Sequence, residues 1–118
     1  MAYNPTVRSS KRAYNQLNKA IFKSKLPPAS EINFEIGNIT LKWWGYCEYN
    51  KSGFKIKLLP EYVNRKFFIT ILAHEMVHVW EQVTYSRMTH GPNFFGFKDI
   101  FEENGIDLTK CYDHEDFI

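Results

Sequence analysis

Hydrophobic positions recur along this chain with two periods, and the switches between them divide it into elements. Val7, Tyr14 and Ile21 are spaced by seven, with Leu17 between them and Phe22 beside them, so residues 6–24 present one apolar stripe of a helix. Asn4-Pro5 supplies a capping residue and a first-turn proline, and Pro27-Pro28 stops the helix. Three runs then alternate with period two: Glu31–Ile36, Ile39–Trp44 and Phe54–Leu58. Turn signals separate them, Gly37-Asn38 and then Asn50-Lys51-Ser52-Gly53, while Gly45 reads as a bulge. Neighbouring strands with tight turns predict a three-stranded, mostly antiparallel sheet with one buried face. From Glu61 to His90 there is neither Pro nor Gly, and the apolar run around Phe67–Ala73 predicts a helix of several turns. Phe94, Phe95, Phe97, Ile100 and Phe101 predict a second apolar helix, closed by Asn104-Gly105 as a left-handed cap. Residues 106–118 read as a short tail. The pattern is that of one α+β domain over residues 1–118.

The long helix carries the chemistry. His74-Glu75-Met76-Val77-His78 lies inside its apolar run, and positions i and i+4 share a helix face. His74 and His78 can therefore both reach one ion, while Glu75, about 100° round the helix, is placed to act on water as a general base. Chance would put only about 0.01 such motifs in a chain of this composition. Buried without partners, two imidazoles and a carboxylate would be costly, and a metal supplies those partners. Catalytic zinc takes three protein ligands and leaves one position open. Glu81 is too far along the helix from His74 to share the ion, and His114 sits in an acidic tail. Glu102 and Glu103 remain as alternatives on the later helix. His90 is favoured: eleven residues separate it from His78, and Gly91-Pro92 then turns the chain.

At 118 residues and 44% hydrophobic composition the chain supports one real core, and no stretch is long enough to span a membrane. Cys47 and Cys111 are isolated, with no C-x-x-C pair, and read as free thiols of a cytoplasmic protein. The first residues lack an apolar signal core. Net charge is only +2, but residues 1–30 hold six cations and no acid, whereas residues 99–118 are acidic. By strand parity Lys42, Trp44, Lys55 and Lys57 share the solvent face of the sheet. Cations beside an aromatic ring suit single-stranded DNA, though such lysines more commonly keep a sheet soluble.

The combination of His74-Glu75-Met76-Val77-His78 with His90-Gly91-Pro92-Asn93-Phe94 resembles the SprT-like metallopeptidase domain, shared by bacterial SprT proteins and the DNA–protein crosslink protease Spartan. Leu17-Asn18, Phe22, Leu26-Pro27, Gly45-Tyr46-Cys47 and Lys55-Ile56-Lys57-Leu58 extend the likeness over about residues 14–101. The resemblance implies a zincin-like fold and a zinc metallopeptidase, with His74, His78 and His90 as ligands and Glu75 as base. It also implies a protein substrate and contact with single-stranded or structured DNA. The paired cysteines of the family's C-terminal zinc ribbon are missing, so a minimal, monomeric catalytic domain is expected. The alternative is a non-catalytic, zinc-stabilised protein- or DNA-binding module.

Overall fold

The first helix is set by a hydroxyl. In the computed structural model, which describes residues 2–39, 44–85 and 97–106, helix α1 spans Val7–Ala20 and is capped by Thr6. Thr6 Oγ1 accepts the Ser9 N–H at 3.0 Å while Ser9 Oγ accepts the Thr6 N–H at 2.9 Å. This is a capping box with Ser in the usual place of Glu. Asn4 therefore does not cap the helix; its Nδ2 donates to the Pro60 carbonyl at 3.0 Å and ties the N-terminal segment to the chain beyond the sheet. The helix also stops before the two prolines. Lys23 and Ser24 adopt φ of 53° and 61°, left-handed conformations that non-glycine residues take only when surrounding bonds hold them. Those bonds come from Asn18: its carbonyl accepts the Ser24 N–H at 2.8 Å. Its side chain bonds the N–H and C=O of Leu26 at 3.2 and 3.0 Å.

A 3₁₀ turn (Ala29–Glu31) leads into β1 (Ile32–Ile36), followed by β2 (Gly45–Asn50) and β3 (Gly53–Leu58). Strand order is β1-β3-β2. β2 and β3 form the expected antiparallel hairpin, with Asn50 Oδ1 accepting the Ser52 N–H and Gly53 at φ 104°. β1 runs parallel to β3, Ile32 opposite Phe54 and Ile36 opposite Leu58, so the sheet is mixed. The second strand of the described ladder is Gly45–Asn50; the strand expected over 39–44 falls mostly on residues 40–43, which lie outside the described set. On β3 the parity holds: Phe54, Ile56 and Leu58 face inward and alternate with Lys55 and Lys57.

Asn64 caps α2 (Arg65–Tyr85), its Oδ1 accepting the Phe67 N–H at 2.8 Å. Every residue from Thr70 to Val79 is buried. A helix enclosed all round is the centre of a domain, and here it packs against β2, β3 and α1. Ile71, Leu72, Met76 and Val77 meet Ile56 and Leu58 of the sheet and Tyr14 of α1 in one core. The last described helix, α3 (Lys98–Glu103), begins later than Phe94, and residues 86–96 lie outside the described set. It docks through Phe97 and Phe101 on Phe22, at ring separations of 5.1 and 6.3 Å. Its end follows the expected cap: Gly105 has φ 76° and the Ile106 N–H returns to the Phe101 carbonyl at 2.8 Å. No helix among the described residues is long and apolar enough to cross a membrane.

Candidate active site

The two histidines of α2 stand on adjacent turns with ring centroids 5.0 Å apart and planes inclined at 73°. Both are buried, and so are the two carboxyl groups of the same stretch, Glu75 at 1% and Glu81 at 2% exposure. Such groups enter a core only with partners or for a task. Glu81 has a partner in view: its Oε1 lies 3.1 Å from His78 Nδ1, three residues back along the helix. Glu75 Oε2, by contrast, has no hydrogen-bond partner among the described residues. Burial alone pushes its carboxyl well above the usual carboxylate range.

What covers Glu75 is the backbone of β2. A Cβ added at Gly45 would lie 2.9 Å from Ile71 Cγ2 and 3.1 Å from Glu75 Oε2. Gly45 is thus a point of close approach between strand and helix and not a bulge. Cys47, two residues on, shares its side of the strand. Burial pushes the Cys47 thiol up, and the nearby Glu75 and Glu48 carboxylates add to the effect. Tyr62 braces the start of β2 from behind, accepting the Leu59 N–H at 3.0 Å and donating to the Trp44 carbonyl.

Two imidazoles on one helix face, with a buried carboxyl between them in sequence whose Oε2 meets no hydrogen-bond partner among the described residues, suit a metal that takes nitrogen ligands and leaves room for water. Among the described residues no group of three or more His, Cys, Asp or Glu is placed to hold an ion. His90 lies outside them, as do Lys42 and Cys111. The chain on either side of residues 86–96 is anchored at Trp80, which meets Tyr85 at 5.5 Å and Phe97 at 4.8 Å.

The family model for the SprT-like family matches residues 10–109. This chain belongs to the SprT-like family. Membership is consistent with a metallopeptidase, and the matched span contains His74, Glu75, His78 and His90. The chain has no match among the curated proteins.

Of the residues grouped by parity for DNA, Trp44, Lys55 and Lys57 are among the described residues. Lys55 and Lys57 lie on the outer face of the sheet, but Trp44 precedes β2 and packs edge-on against Phe67 of α2, centroids 5.0 Å apart. Parity fails there because the ring follows the core and not the strand. Lys55 is moreover held between Glu35 and Glu48, at 3.2 and 3.4 Å. Sequence reasoning passed over two residues at the site itself. Glu81 was weighed only as a ligand shared with His74; its i,i+3 spacing from His78 was the signal for a contact with that ring. Gly45 had no local signal, since its role depends on a helix some thirty residues later.

Proposed function

We propose that this chain is a zinc-dependent metallopeptidase in which His74, His78 and His90 hold the ion and Glu75 is the general base. One observation carries the reading: Glu75 is enclosed between α2 and Gly45 with a carboxylate oxygen that meets no protein donor among the described residues. A structural metal site has no use for such a group. Zinc, when bound, supplies Lewis acidity that makes water easier to deprotonate and polarises a carbonyl. His74 and His78 present ring nitrogens from successive turns, and His90, eleven residues after His78 in the sequence, would supply the third ligand. Glu75 accepts the proton of the attacking water and passes it to the leaving amine. Its raised affinity for protons, a result of burial, suits that second task. β2 is an outer strand of the three-stranded sheet and passes Glu75 at Gly45. An extended peptide laid along β2 would therefore bring a backbone carbonyl to this carboxyl. The substrate is protein, and the family likeness makes DNA-bound proteins the first class to assay.

Elemental analysis combined with proteolysis of unfolded and DNA-bound proteins tests the reading. Wild type should hold one zinc per chain. Glu75→Gln should keep the zinc while cleavage falls about 10²–10⁴-fold, the loss typical of a general base. His90→Ala should lose zinc while Glu102→Ala keeps it. Zinc-loaded wild type that cleaves nothing, or a Glu75→Gln variant of equal activity, would leave the binding-module alternative standing instead.

A further inference from the structure

The carboxylate beside His78 is the feature that the proposed mechanism leaves unused. Glu81 is 2% exposed, its neighbour His78 is 6% exposed, and 3.1 Å separates Oε1 from the ring Nδ1. An ionised carboxylate can only accept hydrogen bonds. With Glu81 ionised, the bond of 3.1 Å is one that the ring donates from Nδ1, which leaves the lone pair of a neutral imidazole on Nε2. A histidine without such a neighbour distributes its proton between both nitrogens, and rotates more freely about its side chain.

We infer that Glu81 is a positioning residue for the metal centre, fixing His78 as the Nδ1–H tautomer so that Nε2 is the ligating nitrogen. The inference rests on the metallopeptidase reading and assigns this chain's own residue a part in it. The physical basis is general: the hydrogen bond made by one ring nitrogen decides which nitrogen is available to a metal, holds the ring plane, and raises the basicity of the ligand. The helix supplies the geometry cheaply. Residues three apart are neighbours on one face, so Glu81 reaches the ring from one turn further on, while His74 lies one turn before it. The carboxylate points at Nδ1 and is too distant along the helix to compete with His74 for an ion. Its own burial is compensated by this charge-assisted bond.

Two measurements on the full chain separate this role from plain packing. Long-range ¹H–¹⁵N correlation spectra of the metal-free protein, at about pH 8 where an ordinary imidazole is neutral, should show His78 as the Nδ1–H tautomer in wild type. Glu81→Gln, close in shape, should return it toward a mixture. Zinc affinity from competition with a chelating dye should weaken about 10–100-fold in Glu81→Gln, the usual effect of losing such a neighbour. His78 found as the Nε2–H tautomer in wild type would overturn the inference without any variant. So would a Glu81→Gln protein that matches wild type in both tautomer and zinc affinity. Wild type that binds no zinc overturns the metallopeptidase reading, and this inference with it. Tight zinc binding that is indifferent to Glu81 sinks only the role given to Glu81.

Discussion

The two sides of the small sheet both carry charged groups, and they treat them in opposite ways. On the outer face Lys55 sits between Glu35 and Glu48 on the flanking strands, all three partly exposed. Each partner is also solvated, so the arrangement contributes little and could be rearranged at small cost. On the inner side Glu75 is 1% exposed beside the backbone of Gly45, and its Oε2 has no compensating donor among the described residues. There the fold bears a desolvation penalty that a hydrophobic residue would avoid. A surface ladder of opposite charges is what solubility alone would select. A buried carboxyl between two buried histidines, with no partner for Oε2 among the described residues, needs a function to explain it, and the SprT-like family supplies the class.

If the inner side is as tightly packed as this contrast requires, substitutions there should be expensive. Ile71 is fully buried and touches the point where β2 crosses α2. Ile71→Ala should lower unfolding free energy by about 2–5 kcal/mol, the range for a truncated core aliphatic, read by urea denaturation. A loss below about 1 kcal/mol would mean that the seam is loose.

Gly45→Ala should cost less, about 1–3 kcal/mol, as overpacking does. Its new methyl group would lie 2.9 Å from Ile71 Cγ2 and 3.1 Å from Glu75 Oε2. The two changes should couple. In the Ile71→Ala background one of the crowded contacts is gone, so Gly45→Ala should be milder there than in wild type. Strict additivity in a double-mutant cycle would show that Gly45 is not limited by Ile71.

These same residues mark how far the sequence could be read. The Pro- and Gly-free run from Glu61 to His90 and the spacing of His74 and His78 gave α2 and the face of its histidines, because a 3.6-residue period is a local property. β1 and β3 were legible for the same reason, from strict alternation. β2 has a weaker local signal: Gly45–Asn50 alternates less clearly than Ile39–Trp44, of which residues 40–43 lie outside the described set, and its pairing is decided by its partner strand. The parallel register of β1 on β3 had no local signature at all. Nor did the close approach at Gly45, which exists only once α2 lies beneath it. Thr6 displaced Asn4 as the cap because Ser9 stands at the right distance to complete the box. His90, the proposed third ligand, lies outside the described residues and rests on its spacing and on the family likeness.

A smaller effect tests the inner side chemically. Burial and the nearby carboxylates push the Cys47 thiol up, so less reactive thiolate is present at a given pH. Alkylation by iodoacetamide at about pH 8, followed site by site with mass spectrometry, should be markedly slower at Cys47 in the folded chain than in urea. Equal rates would show that the fold does not shield the half-buried Cys47 thiol and weaken the case for a tightly packed seam around Glu75.

The smallest effect is expected on the outer face, and it concerns nucleic acid. Each lysine that neutralises a phosphate of a single strand steepens the dependence of log affinity on log salt by roughly 0.7. Lys55 already donates to Glu35, which together with Glu48 raises its pKa, so its charge is spent within the protein. Trp44, which would have to stack on a base, is turned against Phe67. Lys55→Ala should therefore leave the melting temperature without measurable change and the salt slope for single-stranded DNA unaltered. Lys57→Ala serves as the companion, since Lys57 lies on the same face of the sheet. A slope that becomes shallower by about 0.7 in Lys55→Ala would break the contrast drawn between the two faces. The sheet's outer side would then be a phosphate-binding surface, and its carboxylates would be partners displaced by DNA.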